Sequence, residues 1–233
     1  MKIALISDIH GNLEALLAVL AQIDVMNIGG IYCLGDIVGY GANPNECIEV
    51  IRSRNIPSVA GNHDKAVAGE ISIDHFSDVA RRGVEWTRSR IITENREFLS
   101  SLPYQRQVEQ ALLVHSSPDA PETFRYLFDQ EDTWESFNVL KSSVCFVGHT
   151  HRPAIFCEDG DTQILDPRKR YIINVGSVGQ PRDGNWRSCF AVFDSEQFSV
   201  NFIRVEYDAE AARQKILNTG LPKKLADRLL AGI

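Results

Sequence analysis

Short apolar runs that stop abruptly at polar residues are the feature that most constrains the fold of this chain. Ile3 to Ile6, Ile31 to Leu34 and Ile56 to Ala60 each have the continuous apolar character of a strand buried on both faces. The segments between them, Leu13 to Ile23 and Pro44 to Ile51, carry apolar residues at helical spacing. This alternation of strand and helix predicts a largely parallel sheet with helices on its faces.

The second half of the chain changes to strand periodicity. Gln105 to Val108 and Leu112 to His115 are predicted to form a hairpin. The strands predicted after it are Val144 to Val147, Ala154 to Cys157, Ile172 to Val175, Cys189 to Phe193 and Val200 to Val205. We therefore expect one domain over residues 1–233 of the α/β (α+β) class, a four-layer αββα sandwich. Each half of the chain is expected to form one mixed sheet, with the two sheets packed face to face and helices outside.

The composition limits the classes of function. With 233 residues, 44% apolar and 24% charged, the chain is long enough for a sizeable core. A net charge of −7 disfavours stable nucleic-acid binding, which needs basic stripes that neutralise phosphates. The five cysteines form no Cys-x-x-Cys pair and are typical of core residues in a reducing compartment. Without a leader pattern or an apolar run of membrane-spanning length, we expect a cytoplasmic protein without membrane contact; the oligomeric state stays open.

Histidines concentrate at the ends of the predicted strands. Of the six histidines, only His75 lies elsewhere; the others are His10, His63, His115, His149 and His151. In open sheets, ligands bind outside the carboxyl ends of the strands, where residues distant in sequence meet. We therefore predict that these histidines converge on one site.

Taken singly, each polar motif also has an ordinary structural explanation. Asp8 and His10 lie two residues apart, as do His149 and His151, which places both side chains of a pair on one side of an extended segment. Such a pair can equally be solvated, and Asp36 can cap a turn. Four carboxylate or imidazole motifs in succession, each after an apolar run, favour a shared site over chance.

The donor set predicts two metal ions. The candidate ligands are too many for one tetrahedral ion: Asp8, Asp36, Asn62, His10, His115, His149 and His151. Two ions that share a carboxylate use all of them. Mixed imidazole and oxygen donors suit Mn, Fe, Co, Ni or Zn better than Ca or Mg. Two ions roughly 3.5–4 Å apart stabilise the attacking and leaving oxygens of an in-line displacement at phosphorus.

Two further stretches carry candidate functional side chains. Gly61-Asn62-His63-Asp64 follows an apolar run and can supply a metal ligand, a proton donor and the group that orients the donor. The guanidinium of Arg182 lies in a loop rich in Gly and Pro, where it can fork onto phosphate oxygens or pair with Asp183. Further candidates for lining a pocket are Tyr40, Arg125 and Tyr126.

Together the motifs resemble the calcineurin-like metallophosphoesterase superfamily. They are Asp8-Ile9-His10, Gly35-Asp36-Ile37-Val38-Gly39, Gly61-Asn62-His63-Asp64, His115 and Gly148-His149-Thr150-His151. Three stretches are similar to its small prokaryotic phosphodiesterase branch: Gly39 to Pro44, Val114 to Pro118 and Gly176 to Asp183. The resemblance implies one ion held by Asp8, His10, Asp36 and His151, and another held by Asp36, Asn62, His115 and His149.

The resemblance also implies a reaction. A hydroxide held between the metals attacks phosphorus, His63 protonates the leaving alkoxide, and Asp64 fixes an imidazole. The implied enzyme is a metal-dependent phosphoric ester hydrolase, a phosphodiesterase acting on small phosphate esters with two divalent ions. Manganese is the expected metal, and Fe, Zn, Co or Ni are alternatives. Ser116 stands where many relatives have glycine and is expected to narrow the substrate opening.

Other functions stay open beside this one. A nucleotide-specific hydrolase of dinucleoside polyphosphates or cyclic nucleotides fits the same motifs, as does a phosphomonoesterase or protein phosphatase. A protein-interaction scaffold on the same fold is the non-enzymatic alternative, although no candidate ligand is missing from the chain.

Overall fold

The computed structural model describes residues 1–160 and 164–233. The strands are β1 (Lys2–Ile6), β2 (Gly30–Cys33), β3 (Gln105–Val108), β4 (Ala111–Val114), β5 (Val144–Val147), β6 (Ala154–Cys157), β7 (Tyr171–Asn174), β8 (Ser188–Asp194) and β9 (Ser199–Val205). The helices are α1 (Leu13–Asp24), α2 (Pro44–Ser53), α3 (Asn62–Ala68), α4 (Asp78–Arg88), α5 (Thr93–Ser101), α6 (Trp134–Val139), α7 (Ala209–Asn218) and α8 (Lys223–Ala231).

The first sheet has the strand order β2-β1-β8-β9. β2 runs parallel to β1, whereas β8 is antiparallel to both of its neighbours. The prediction that each half of the chain forms its own sheet is therefore wrong, because β8 and β9 complete the sheet begun by β1 and β2. β1 is buried after Lys2 and its backbone needs hydrogen-bonding partners on both edges; the fully buried β8 supplies the second one.

The second sheet has the order β3-β4-β5-β7-β6. The predicted hairpin is confirmed as β3 and β4, which pair in antiparallel fashion. β4, β5 and β7 run parallel to one another, and β6 is antiparallel to β7. Parallel neighbours present their carboxyl ends at the same edge of a sheet, so the residues that follow β4 and β5 come together there.

Side chains alternate between separate cores across the layers. Leu5 of β1 packs with Phe146 of the second sheet in the core between the sheets. The next residue, Ile6, faces the other way and packs in the core that contains Leu16 of α1. On the far face of the second sheet, Phe137 of α6 contributes to a third core. These layers confirm the predicted αββα sandwich of two mixed sheets with helices outside.

The segment from Ile56 to Ala60 is not the regular strand that its apolar run predicts. It makes one parallel bridge, between Ser58 and Cys33, beside β2. Pro57 has no N–H to donate, which keeps the ladder from extending. The segment then ends at Gly61, and α3 begins directly at Asn62. The polar residues Asn62, His63 and Asp64 thus form the first turn of a helix.

In the described ranges, no helix has the length and apolar character needed to cross a membrane. All five cysteines are buried and carry free thiols.

Candidate metal centre

The candidate ligands converge at the carboxyl ends of four strands. Asp8 follows β1, Asp36 follows β2, His115 follows β4, and His149 and His151 follow β5. All five side chains are buried. Their convergence confirms the expectation that strand ends distant in sequence build one site.

The donor atoms of the first group lie close enough to share an ion. Nε2 of His10 is 3.1 Å from Nε2 of His151, and that atom of His151 is 3.4 Å from Oδ1 of Asp8. The second group is equally tight. Nε2 of His115 is 3.2 Å from Nδ1 of His149 and 3.3 Å from Oδ2 of Asp36.

Asp36 lies between the two groups. Its Oδ2 is 3.5 Å from Nε2 of His10 and 3.3 Å from Nε2 of His115. One carboxylate therefore faces a histidine of each group, which is the arrangement that a bridging ligand requires.

Backbone geometry, rather than strand alternation, aims the ligands. Asp8, His10 and Asp36 have φ of 53°, 50° and 52°, and His149 and His151 have φ of 67° and 61°. These residues lie in the left-handed region, which non-glycine residues rarely adopt and which costs of order 1–3 kcal/mol each. The expectation that Asp8 and His10, or His149 and His151, share one side of an extended segment is wrong. Asp8 and His10 nevertheless meet in one donor group, whereas His149 and His151 belong to different groups.

Backbone carbonyls determine which ring nitrogen is free in three of the histidines. Nδ1 of His10, His115 and His151 lies 3.1, 2.7 and 2.6 Å from the carbonyl oxygens of Val38, Leu34 and Gln180 respectively. A carbonyl only accepts hydrogen bonds, so each Nδ1 carries a proton and Nε2 is the nitrogen left to bind a metal. This outer contact is typical of metal-ligating histidines.

Burial and mutual attraction determine the charges of the site. Burial lowers the pKa of His10, His149 and His151 well below the usual histidine value, so these rings are neutral near pH 7. Burial also opposes charge on Asp36 and His115, but their mutual attraction outweighs it. The pKa of Asp36 falls well below its usual range, and that of His115 rises to about 9. A cation at Asp36 would take the place of the His115 proton.

Asn62, in the first turn of α3, lines the same cavity as His149. Its Oδ1 is buried and has no hydrogen-bond partner among the residues that the structure describes. A buried amide oxygen left without a partner costs free energy, which a bound cation removes. The donor chemistry therefore fits metal ions: three neutral imidazoles, a fourth imidazole whose proton a cation would replace, two carboxylates and an unpartnered amide oxygen.

Asp64 has a different role from the predicted one. Its Oδ1 accepts hydrogen bonds from the backbone N–H groups of Ile37 and Val38, and its Oδ2 accepts one from that of Gly61. These bonds tie the segment after Asp36 to the start of α3. Asp64 thus positions the backbone beside Asp36 instead of fixing an imidazole, because its side chain points back along the helix toward the capping position.

His63 lies beside the metal centre. Its Nε2 is 3.1 Å from the hydroxyl of Tyr40, and its ring packs against the rings of His10 and Phe76. On the other side of the ring, Nδ1 lies against the backbone of Gly39. Nδ1 has no hydrogen-bond partner in the described part of the chain. His63 can itself join His10 and Asp36 in a group of donors within 4.8 Å of one another, but the two groups above are complete without it.

Arg182 lies at the same cavity as His63, Asn62 and His149. Its guanidinium donates to Oε1 of Gln180 and lies over the ring of Tyr40, 5.6 Å from the centroid. The alternative ion pair with Asp183 is wrong, since Asp183 pairs with Arg204.

The remaining candidates divide between the cavity and other places. Tyr40 and Tyr126 line the cavity, and Tyr126 stacks on the ring of His149 with centroids 3.8 Å apart. Arg125 instead forms an ion pair with Asp119. Ser116 is buried and is absent from the described lining, so it does not narrow the opening directly. Sequence reasoning missed Arg228, because no motif surrounds it in α8.

Comparison with known proteins agrees with this geometry. A profile of the calcineurin-like phosphoesterase superfamily domain matches residues 1–197. The chain belongs to the calcineurin-like phosphoesterase superfamily. It is 45% identical over 241 residues to the uncharacterized protein MJ0912 of Methanocaldococcus jannaschii, covering 99% of this chain and 98% of that protein.

Solved structures with similar folds match the whole of this chain. A metallophosphoesterase from Sphaerobacter thermophilus superposes with a TM-score of 0.87 at 40% identity, over 100% of this chain and 99% of that one. The hypothetical protein PH1004 of Pyrococcus horikoshii OT3 has a TM-score of 0.83 at 23% identity, over 100% and 98% of the two chains, and shows the fold alone. Both similarities extend past residue 197 to the closing helices of the chain.

Proposed function

We propose that this protein is a phosphodiesterase that hydrolyses small phosphate esters with two bound divalent metal ions. The observation that carries the proposal is a cavity of about 450 Å³ onto which Asn62, His63 and His149 open together. Metal ligands and a proton donor therefore face the same space, whose size is in the range of small-molecule sites. Manganese is the expected ion, because it accepts mixed imidazole and oxygen donors.

The residues that would hold one ion are Asp8, His10, Asp36 and His151, and those that would hold the other are Asp36, Asn62, His115 and His149. When bound, the ions would activate water and neutralise the charge that builds on the phosphoryl oxygens.

His63 supplies the proton that the reaction needs. Hydrolysis joins a water oxygen to phosphorus and breaks the bond from phosphorus to the ester oxygen, which leaves as an alkoxide. Nε2 of His63 donates the proton to that oxygen, because Nδ1 is buried and closed to the substrate. Burial lowers the pKa of His63 to about 4 in the free protein. An anionic phosphodiester in the cavity favours the protonated ring, whose Nε2 then exchanges the Tyr40 hydroxyl for the leaving oxygen.

The test pairs substrates with different leaving groups. Protein stripped of metal and reloaded with Mn²⁺ is assayed on bis(4-nitrophenyl) phosphate, which releases 4-nitrophenolate, and on a series of dialkyl phosphates, which release alkoxides. His63→Ala is expected to lower kcat by about 10²–10⁴-fold for alkoxide leaving groups, and least for 4-nitrophenolate, which needs no proton. Bound metal, measured by elemental analysis, should be unchanged in this variant, whereas Asn62→Ala should lose one ion.

His75→Ala is the matched control, because His75 lines the same cavity but takes no part in either donor group. It should keep both the metal and the rate. Wild-type protein that binds no metal and hydrolyses neither diesters nor monoesters would refute the proposal and favour a scaffold. If the protein hydrolysed 4-nitrophenyl phosphate faster than any diester, the proposed activity would be that of a phosphomonoesterase instead of a phosphodiesterase.

A further inference from the structure

Two arginines from distant parts of the chain line the proposed substrate cavity. Arg182 comes from the loop after β7, and Arg228 comes from α8. The family profile ends at residue 197, so α8 lies outside the part of the chain that defines the superfamily. The end of α8 is nevertheless joined to the Arg182 loop, because the N–H of Gly184 donates to the carbonyl of Gly232 at 2.9 Å.

No carboxylate neutralises either arginine in the described part of the chain. Asp183, next to Arg182, pairs with Arg204. Asp227, next to Arg228, pairs with residues of α7 and α8 on the surface. Glu122 lines the cavity, but it is exposed and forms no ion pair with Arg182 or Arg228.

The two guanidiniums differ in how they are held. Arg182 is oriented by the buried Gln180, whose Oε1 lies 2.9 Å from one terminal nitrogen, and by the ring of Tyr40. Arg228 is half-buried, and its side chain makes no hydrogen bond to the described residues. The pKa of Arg228 is lowered first by burial and then by repulsion from the positive charge of Arg182. An anion between them relieves this repulsion and supplies the missing acceptors.

Aromatic rings occupy the same lining. Phe76, Phe124 and Tyr126 all border the cavity, and Tyr126 is held parallel to the ring of His149. A flat base can stack on such rings, and stacking contributes about 1–3 kcal/mol per base in nucleic-acid sites. The lining therefore offers a surface for a base as well as two cations.

We propose that Arg182 and Arg228 bind a second phosphate group, so that the substrate is a nucleotide with at least two phosphates. The inference rests on the proposed function, because it assigns the substrate class of the same cavity. The phosphate to be cleaved occupies the metal centre, the second phosphate bridges the two guanidiniums, and the base lies on the aromatic lining. The closing helix α8 thus determines specificity for the reaction that the superfamily domain carries out.

The experiment compares α,β-methylene-ADP with AMP, which share a nucleoside and differ in the second phosphorus group. Calorimetry is run on the protein loaded with Mn²⁺, because the first phosphate is expected at the metal centre, and the recovered nucleotides are checked for turnover. The wild type should bind α,β-methylene-ADP about ten-fold or more tightly than AMP, and Arg228→Gln should abolish that preference. Arg228→Lys keeps the positive charge but not the forked donors of the guanidinium, and it should retain part of the preference for α,β-methylene-ADP.

Arg213→Gln is the matched control, because Arg213 lies on α7, pairs with Glu210 and Asp227, and is absent from the cavity lining. It should leave the preference intact. Equal binding of the two nucleotides by the wild type, or an unchanged preference in Arg228→Gln, overturns the inference while diester hydrolysis still supports the proposed function. Arginine-dependent binding without any hydrolysis has the opposite meaning: the phosphate subsite stands and the proposed function fails.

Discussion

A methyl group at Gly39 should disable catalysis while the protein stays folded. A Cβ at this position would lie 2.7 Å from Nδ1 of His63 and 2.8 Å from Nδ1 of His10. Ordinary contacts begin at 3.4 Å, so both rings must retreat by about 0.6–0.7 Å. In Gly39→Ala the proton donor and a candidate metal ligand therefore move together.

The size of the effect follows from that displacement. A misplacement of about 1 Å at a reacting group costs on the order of 10²-fold in rate. We expect kcat to fall by about 10–10²-fold in Gly39→Ala. Residue 39 also has φ of 135°, which an alanine adopts only under strain, at a cost of order 1–3 kcal/mol in the free energy of unfolding.

Gly69→Ala separates the two effects. Gly69 has φ of 90°, but a Cβ there meets no atom within 4 Å. Both variants should lose stability in urea unfolding, but only Gly39→Ala should lose kcat on a dialkyl phosphate, whose alkoxide leaving group needs the proton of His63, with Mn²⁺ at saturation. If Gly39→Ala turned over as fast as Gly69→Ala, the close packing of His63 and His10 against this glycine would not matter to the reaction.

Three other predictions follow from the buried site. In Asp64→Asn, an amide N–H replaces the oxygen that accepts from the N–H of Gly61, so the unfolding free energy of the metal-free protein should fall by about 1.5–3 kcal/mol in urea. Unchanged stability would contradict the role assigned to Asp64. Adding Mn²⁺ at about 100 times its Kd to protein from which a chelator has removed metal should raise the free energy of unfolding by about 2.7 kcal/mol, and Tm by about 5–10 °C in differential scanning fluorimetry. An unchanged Tm would argue against a metal centre. Because the pKa of His115 is about 9, its ring is protonated below that pH and must lose a proton to bind metal, so the affinity for Mn²⁺ should rise from pH 7 toward pH 9. Calorimetry in buffers of different ionisation enthalpy should detect this proton release, and its absence would contradict the charge assigned to His115.

Much of the site could be predicted because its residue types are local information. Asp8, Asp36 and His115 each follow an apolar run, and the carboxyl ends of parallel strands meet in this class of fold. The layers were also predictable, since the period of apolar residues distinguishes strands from helices. The run from Ile56 to Ala60 was misread, because an apolar run does not reveal whether a neighbouring strand edge can pair with it.

The sequence by itself determined which donors the site contains and that they lie at strand ends. Tertiary structure alone decided that β8 joins β1, that five ligands adopt left-handed φ, and that Asp64 holds a backbone segment. It also brought Arg228 of α8 beside Arg182. The physical reason is the range of the interactions. Strand ends and helix caps depend on neighbours in sequence, whereas sheet partners, ligand aim and the lining of a cavity depend on contacts between residues far apart in the chain.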